Sequence, residues 1–286
     1  MDSAKNSFAQ LELNNANMLH NYKYFRSKLK DTTKLLILIK ANSYGHGAVE
    51  FATQMEKAGA DYFGIAHPVE GVELREGGIK TPILVLTAGT DSFEDIVNHY
   101  LEPSIPTMDA LLKFDAYLKS RDIDHYPVHI KLDTGMHRLG FMKQELPELI
   151  EYLKNKPRVK VQSIFSHLAA SDDPQHDEFT RGQYKMYKNH ASMIDAVLDY
   201  KPIHHILNSA GIERFSEYQM DMARLGIGIY GISAVDMNNV KPAASLTCKI
   251  LQIKELTPED GTVGYGRHGK LEHPKKIATL PLGYAD

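Results

Sequence analysis

Short apolar runs alternate along most of the chain with stretches in which apolar residues recur every three or four positions. The runs at 34–39, 62–66, 82–86, 103–107, 127–132, 159–165, 204–207 and 219–223 read as strands. Between them, 49–58, 68–76, 107–118, 145–154 and 178–198 carry helical spacing. Asp91-Ser92-Phe93-Glu94 supplies acceptors suited to starting a helix, and Gly77-Gly78 suits ending one. Strands alternating with helices in this way predict an α/β chain folded as a (β/α)8 TIM-like barrel, with a doubly wound open sheet as the alternative. After Tyr230-Gly231 the helical spacing stops, and 244–251, 262–265 and 277–282 are β-like and punctuated by Gly and Pro. The expected organisation is a barrel over 1–235 and then the start of an all-β C-terminal domain over 236–286, incomplete at Asp286. No repeat of fixed period and no low-complexity tract interrupts this pattern.

Composition narrows the function. A length of 286 residues suits one barrel plus a piece of something else. The 33 basic residues are offset by 36 acidic ones without long like-charged blocks, which leaves no electrostatic footprint for nucleic acid or an anionic membrane. A small molecule is the expected partner. Cys248 is the only cysteine, so neither an internal disulfide nor a multi-cysteine zinc site can form. Met1-Asp2-Ser3-Ala4-Lys5-Asn6 lacks a basic head followed by an apolar stretch, and no run approaches the roughly 18 apolar residues of a membrane helix. A cytoplasmic location is expected.

Barrel enzymes place their functional groups at the C-terminal ends of strands, so those positions are the ones to inspect. Lys40 ends the first apolar run and is followed at once by a stretch able to turn tightly, which puts an amine at the edge of a core where a Schiff base can form. Residues 133–138 follow the fifth strand, Ser166-His167 the sixth, Asn208-Ser209 the seventh and Arg224 the eighth. Each has a plain structural reading: Lys40 as a snorkelling lysine, His167 as a satisfied core histidine, Arg138 as a partner of Asp133, Arg224 as a partner of Asp221. Five such residues on one rim are harder to dismiss together. Asn208-Ser209-Ala210-Gly211 opens a helix and Arg224-Leu225-Gly226-Ile227-Gly228 sets small residues beside an arginine. Backbone amides at such places make an anion site in the usual phosphate position of these barrels, the plain reading being that the glycines cap helices. An imine-forming lysine and a phosphate site on one rim suggest pyridoxal phosphate. A metal-dependent hydrolase is a competing class, because 14 histidines include His204-His205. Adjacent strand residues point to opposite faces and do not chelate together, so no metal site is expected.

The segment Ile39-Lys40-Ala41-Asn42-Ser43-Tyr44-Gly45-His46-Gly47 resembles the pyridoxal-phosphate attachment motif of alanine racemases, with Ser43 where Ala or Gly is more usual. Lys131-Leu132-Asp133-Thr134-Gly135-Met136-His137-Arg138-Leu139-Gly140, Ser166-His167, Asn208-Ser209 and Arg224 with Gly226 match in order. Val263-Gly264-Tyr265-Gly266 and Pro281-Leu282-Gly283-Tyr284-Ala285-Asp286 complete the series, so the resemblance runs from about Phe8 to the last residue. It implies a racemase interconverting L- and D-alanine by a two-base mechanism, supplying D-alanine for peptidoglycan. Lys40 would hold the cofactor and act on one face of the substrate α-carbon, and Tyr265 on the other. Tyr44, Asn208, Ser209, Gly226 and Ile227 would serve the phosphate region, His167 would lie against the ring, and Arg224 would face the pyridine nitrogen. Arg138 would sit near the phenolic oxygen and the substrate carboxylate. In some relatives the lysine matching Lys131 is carbamylated and orients that arginine.

The resemblance also implies a head-to-tail homodimer in which Tyr265 acts at the partner's lysine. Relatives continue well past Gly283-Tyr284-Ala285-Asp286 to complete the β domain, which leads to the expectation that this chain is a fragment, poorly active alone. Two neighbouring readings are a racemase of broader amino-acid preference and a non-catalytic pyridoxal-phosphate-binding barrel. The second needs the lysine and phosphate loops but not Tyr265.

Overall fold

The computed structural model describes residues 9–155 and 157–283. Residues 1–8 and the Tyr284-Ala285-Asp286 end of the last motif lie outside that range. The chain divides into two compact units, one spanning residues 15–243 and the other built from the described parts of 1–14 and 244–286. The expected single boundary after residue 235 thus falls at 243/244, and a second lies at 14/15.

The larger unit is the barrel. Leaving β1 (Ala9–Leu13) to the smaller unit, its strands are β2 (Lys34–Leu38), β3 (Tyr62–Ile65), β4 (Ile83–Val85), β5 (Glu102–Ile105), β6 (Tyr126–Lys131), β7 (Val159–Phe165), β8 (Ile203–His205) and β9 (Met222–Leu225). They form one eight-stranded sheet in the order β8-β7-β6-β5-β4-β3-β2-β9, every ladder parallel. Its two ends meet where the Asp221 amide donates to the His204 carbonyl at 3.1 Å and the Arg224 amide to the Leu207 carbonyl at 3.0 Å. The open-sheet alternative is thereby set aside.

Alternation along β2 shows how the sequence builds two layers. Leu35, Ile37 and Ile39 join the core beneath the surrounding helices, while Leu36 packs with Tyr62, Leu84 and Met222 inside the barrel. The inner layers nearer the C-terminal ends are polar instead: His129, Ser163, His205 and Arg224 are all within 3% of full burial. The helices Ala48–Ala58, Pro68–Glu76, Met108–Ser120, Leu146–Lys154 and Asp177–Asp195 follow the predicted spacing to within a few residues. Thr107 caps Met108–Ser120 by accepting the Ala110 amide. Gly78, at φ 87°, follows Pro68–Glu76 in the left-handed region that favours glycine.

In the smaller unit β1 pairs antiparallel with β10 (Ala244–Cys248), β11 (Gln252–Leu256) with β14 (Lys275–Thr279), and β12 (Thr262–Val263) with β13 (Gly269–Lys270). The expected strand at 262–265 ends at Val263, because Gly264 at φ 79° turns the chain into the short 3-10 segment Tyr265–Arg267. Among the described residues no helix is long and apolar enough to cross a membrane.

Candidate active site

Lys40 lies one residue beyond Ile39 at the C-terminal end of β2, and the turn that follows it is left-handed. Ala41, Asn42, Ser43 and Tyr44 have φ between 52° and 55°. Each non-glycine residue in that conformation costs about 1–2 kcal/mol, so the turn persists only because its surroundings hold it. Three sets of contacts do so. The Ser43 amide donates to the Ile39 carbonyl at 2.8 Å, and the Asn42 Oδ1 accepts the Ala48 amide at 2.7 Å at the start of helix Ala48–Ala58. Glu70 accepts the Ala41 amide on one oxygen at 2.7 Å and the Ala66 and His67 amides on the other at 2.6 and 3.1 Å. The Tyr44 ring packs on Tyr230 at 4.8 Å, and the Tyr230 hydroxyl donates to the Leu38 carbonyl at 3.2 Å. Glu70 and Tyr230 escaped the sequence reading. The signal for Glu70 is its place three residues into a helix that opens His67-Pro68, where a carboxylate reaches back to free amides.

Tyr44 brings the turn to the loops after β8 and β9. Asn208 caps the short helix Ser209–Arg214: its Oδ1 accepts the Gly211 amide at 2.8 Å and the Ser171 hydroxyl at 2.8 Å, and its Nδ2 donates to the Leu168 carbonyl at 3.3 Å. Its side chain is therefore committed to shaping the loop. Ser209 Oγ accepts the Gly226 and Gly228 amides at 2.9 and 3.2 Å, which leaves its proton to point elsewhere. A Cβ on Gly226 would come within 3.4 Å of the Tyr44 hydroxyl and 3.2 Å of Leu38 Cδ1. Tyr44, Ser209 and Gly226 thus meet in one small cradle that any side chain at 226 would crowd, with Ile227 beside them and half exposed. Two hydroxyls and a glycine loop form a donor set suited to a phosphate.

Beside the cradle a cavity of about 440 Å³ is lined by Leu38, Lys40, Lys131, Arg138, Phe165, His167 and Arg224, among others. Its wall carries four cationic side chains and no carboxylate, which suits a ligand bearing several negative charges. Arg224 was expected just past its strand but lies within β9, where alternation turns it into the barrel and buries it. Its Nη1 donates to His205 Nδ1 at 2.7 Å, and its Nη2 to the Ser166 carbonyl at 2.7 Å, to His167 Nδ1 at 3.0 Å and to the Ile206 carbonyl at 3.1 Å. A guanidinium only donates, so both imidazoles accept here and each carries its proton on Nε2. Burial lowers the Arg224 pKa to about 10, which still leaves it charged at neutral pH. Burial and then Arg224, Arg138, Lys131 and Lys40 press His167 down to about 3, so it is neutral. Lys131 is lowered to about 8 by burial, Arg224 and Arg138, against Asp133.

Two pairings considered from sequence are not made. Asp133 turns to its own loop: burial would raise its pKa, but the Gly135 and His137 amides and the His137 ring outweigh this and lower it. Arg138 is left exposed at the cavity mouth. Asp221 takes Lys201 at 3.0 Å and the His204 amide at 2.9 Å rather than Arg224. Tyr265 belongs to the smaller unit and is 98% exposed. His204 and His205 do point apart: His204 bonds Tyr187 and Asp195 on the helix side, His205 faces into the barrel.

A family profile described as alanine racemase, N-terminal domain, matches residues 13–234, and one described as alanine racemase, C-terminal domain, matches 243–286. The alanine racemase of Synechocystis is 36% identical over 286 residues, covering 97% of this chain and 76% of that one. The structure of the Clostridium difficile 630 alanine racemase superposes with a TM-score of 0.85 at 32% identity, covering 98% of this chain and 74% of that one. A Bartonella henselae alanine racemase, 24% identical with a TM-score of 0.87 and covering 98% and 77%, is described with covalently bound pyridoxal phosphate.

Proposed function

The chain belongs to the alanine racemase family, and on that premise we propose that Lys40 and Tyr265 are the two groups that move the substrate α-proton. The protein is a pyridoxal-phosphate-dependent isomerase acting on alanine. Pyridoxal phosphate, when bound, supplies the electron sink that makes the α-proton removable. The observation that carries the assignment of residues is the gathering of Lys40, Arg224, His167 and the Tyr44-Ser209-Gly226 cradle around one cationic cavity at the C-terminal end of the barrel.

Within it Lys40 Nζ is the amine that would hold the cofactor and would take or return a proton on its own side of the α-carbon. Tyr44, Ser209, Gly226 and Ile227 hold the phosphate, Asn208 acting through the loop it shapes. His167, neutral and oriented by Arg224, would lie against the ring. Arg224, which stays protonated, would face the ring nitrogen and disfavour a second proton there. Arg138, free of Asp133, pairs with the substrate carboxylate. Tyr265 returns the proton from the other face, and its exposure supports a role at a partner's site within a homodimer. D-alanine made in the cytoplasm for peptidoglycan is the proposed purpose.

The test is to incubate the chain with pyridoxal phosphate and compare D- and L-alanine with serine, alongside Lys40→Ala. The expected result is an absorption band of the bound cofactor that disappears in Lys40→Ala, and alanine racemisation faster than serine racemisation. A band that survives the substitution would remove Lys40 from its role, and serine turning over as fast as alanine would shift the reading to a broad-specificity racemase.

A further inference from the structure

The polar interior of the barrel does not stop at Arg224. His205 Nε2 lies 2.9 Å from Ser163 Oγ, Ser163 Oγ lies 2.5 Å from His129 Nδ1, and His129 Nε2 lies 2.8 Å from Glu102 Oε2. Ser163, His129 and His205 are fully buried, and Glu102 is 13% exposed at the first position of β5. The four groups come from β8, β7, β6 and β5, successive neighbours in the sheet, and lead from the C-terminal rim to the N-terminal mouth of the barrel.

The two ends fix the direction of the outer links, and the Ser163 hydroxyl, which can accept from one ring while donating to the other, lets a single direction run between them. Arg224 can only donate, so His205 accepts on Nδ1 and must carry its proton on Nε2. That proton goes to Ser163 Oγ. The Ser163 hydroxyl then donates onward to His129 Nδ1, and His129 donates from Nε2 to Glu102. A carboxylate can only accept, so the far end requires the same direction as the near end, and each link has one donor and one acceptor. The Tyr62 hydroxyl accepts from Gln162 Nε2 at 3.0 Å, and burial and then the nearby Glu102 charge raise its pKa. Arg75 and Tyr126 are the other titratable groups felt around Glu102, and Arg75 spends its donors on the His99, Ile79, Thr81 and Tyr100 carbonyls.

We propose that Glu102, His129 and Ser163 are positioning residues for the cofactor-facing arginine: a one-way hydrogen-bond relay through the barrel that locks His205 as an acceptor and so fixes the orientation of Arg224. None of the three reaches the cavity lined by Lys40 and Arg224. Without a fixed acceptor on His205, Arg224 Nη1 would face an N–H, and the guanidinium would keep only its Nη2 anchors on Ser166, His167 and Ile206. The proposal rests on Arg224 facing the ring nitrogen, but its first test does not.

That test is two-bond proton–nitrogen correlation on the chain labelled with nitrogen-15 histidine, which reports which ring nitrogen carries the proton. Wild type is expected to show a proton on Nε2, and none on Nδ1, of both His205 and His129. A proton on Nδ1 of either ring would overturn the relay, and since this needs no variant it decides even if substitutions fail to fold. Glu102→Gln removes the charge while keeping an acceptor, and Ser163→Ala cuts the relay at its centre. Both are expected to give His205 a mixture of tautomers and to lower kcat roughly tenfold with KM changed less than about twofold. Glu102→Asp should recover part of the kcat. A His205 signal and kcat unchanged in Glu102→Gln, with only a lower Tm, would reduce these residues to structural ones. Absent racemisation in wild type with the tautomers as expected would count against the proposed function and leave the relay standing.

Discussion

Lys131 is a cation held where a cation is disfavoured. Its pKa of about 8 in the fold lies below the unfolded value near 10.5, so the cost of charging it is fully present below pH 8 and is relieved as pH rises toward 10.5. Lys131→Met should therefore stabilise the protein at pH 7 by about 1–3 kcal/mol, less at pH 10, measured by urea unfolding. A loss of stability at pH 7 would mean that the side chain is not a free amine but carries an acidic adduct that Arg138 and Arg224 pair with. His167 gives the opposite pH window. Its pKa of about 3 lies below the unfolded value of 6.5, so the unfolded chain binds the proton first, and stability contributed by the neutral ring is complete above pH 6.5 and lost as pH falls toward 3. His167→Asn should flatten the decline of unfolding free energy below pH 6.5 by up to about 1.4 kcal/mol per pH unit. An unchanged slope between pH 6.5 and 4.5 would show that His167 titrates normally.

At the scale of elements, the loops after the strands are held by backbone capture more than by packing. Glu70 accepts three amides from the turns after β2 and β3, so Glu70→Ala leaves those donors bare and should cost about 1–3 kcal/mol in stability, with a larger relative loss in cofactor affinity because the freed turn begins at Lys40. Equal stability by thermal unfolding would refute the clamp. The loop of residues 133–140 is stapled at its base, where the Asp133 amide donates to the Phe141 carbonyl and the Phe141 amide to the Lys131 carbonyl. Gly140 sits there at φ 127°, and a Cβ would stand 2.7 Å from the Asp133 nitrogen and the Leu132 carbonyl carbon. Much of this was legible in the sequence, because period-two and period-3.6 patterns locate strand ends and the polar residues crowd at them. Arg224 misled by a strand boundary: a charged residue after apolar ones reads as the end of a strand, and only the closed barrel shows why it lies inside. The relay was illegible for the same reason. His129 and Ser163 look like breaks in apolar runs until the sheet sets them beside His205, and β1 lacks a local signal because its partner is more than 200 residues away.

For the whole molecule, the question is how the proposed proton-moving groups are divided between the two units. Lys40 belongs to the barrel unit and Tyr265 to the β unit, where its ring is almost fully exposed. A tyrosine that returns a proton needs shielding from bulk water, because a solvated phenol gains nothing from the field of the site. Exposure of this kind in a single chain supports burial by another copy. The proposal of a homodimer with Tyr265 acting at the partner's Lys40 can be decided by mixing two dead variants. Lys40→Ala and Tyr265→Phe should each be inactive alone. When equal amounts are mixed and allowed to exchange subunits, half the dimers are hybrids, and each hybrid contains one site with both groups intact and one with neither. About a quarter of the wild-type activity should return, since half the dimers carry one of two sites in a two-fold arrangement. If Tyr265 served the Lys40 of its own chain, every site in every dimer would lack one group, and mixing would restore nothing.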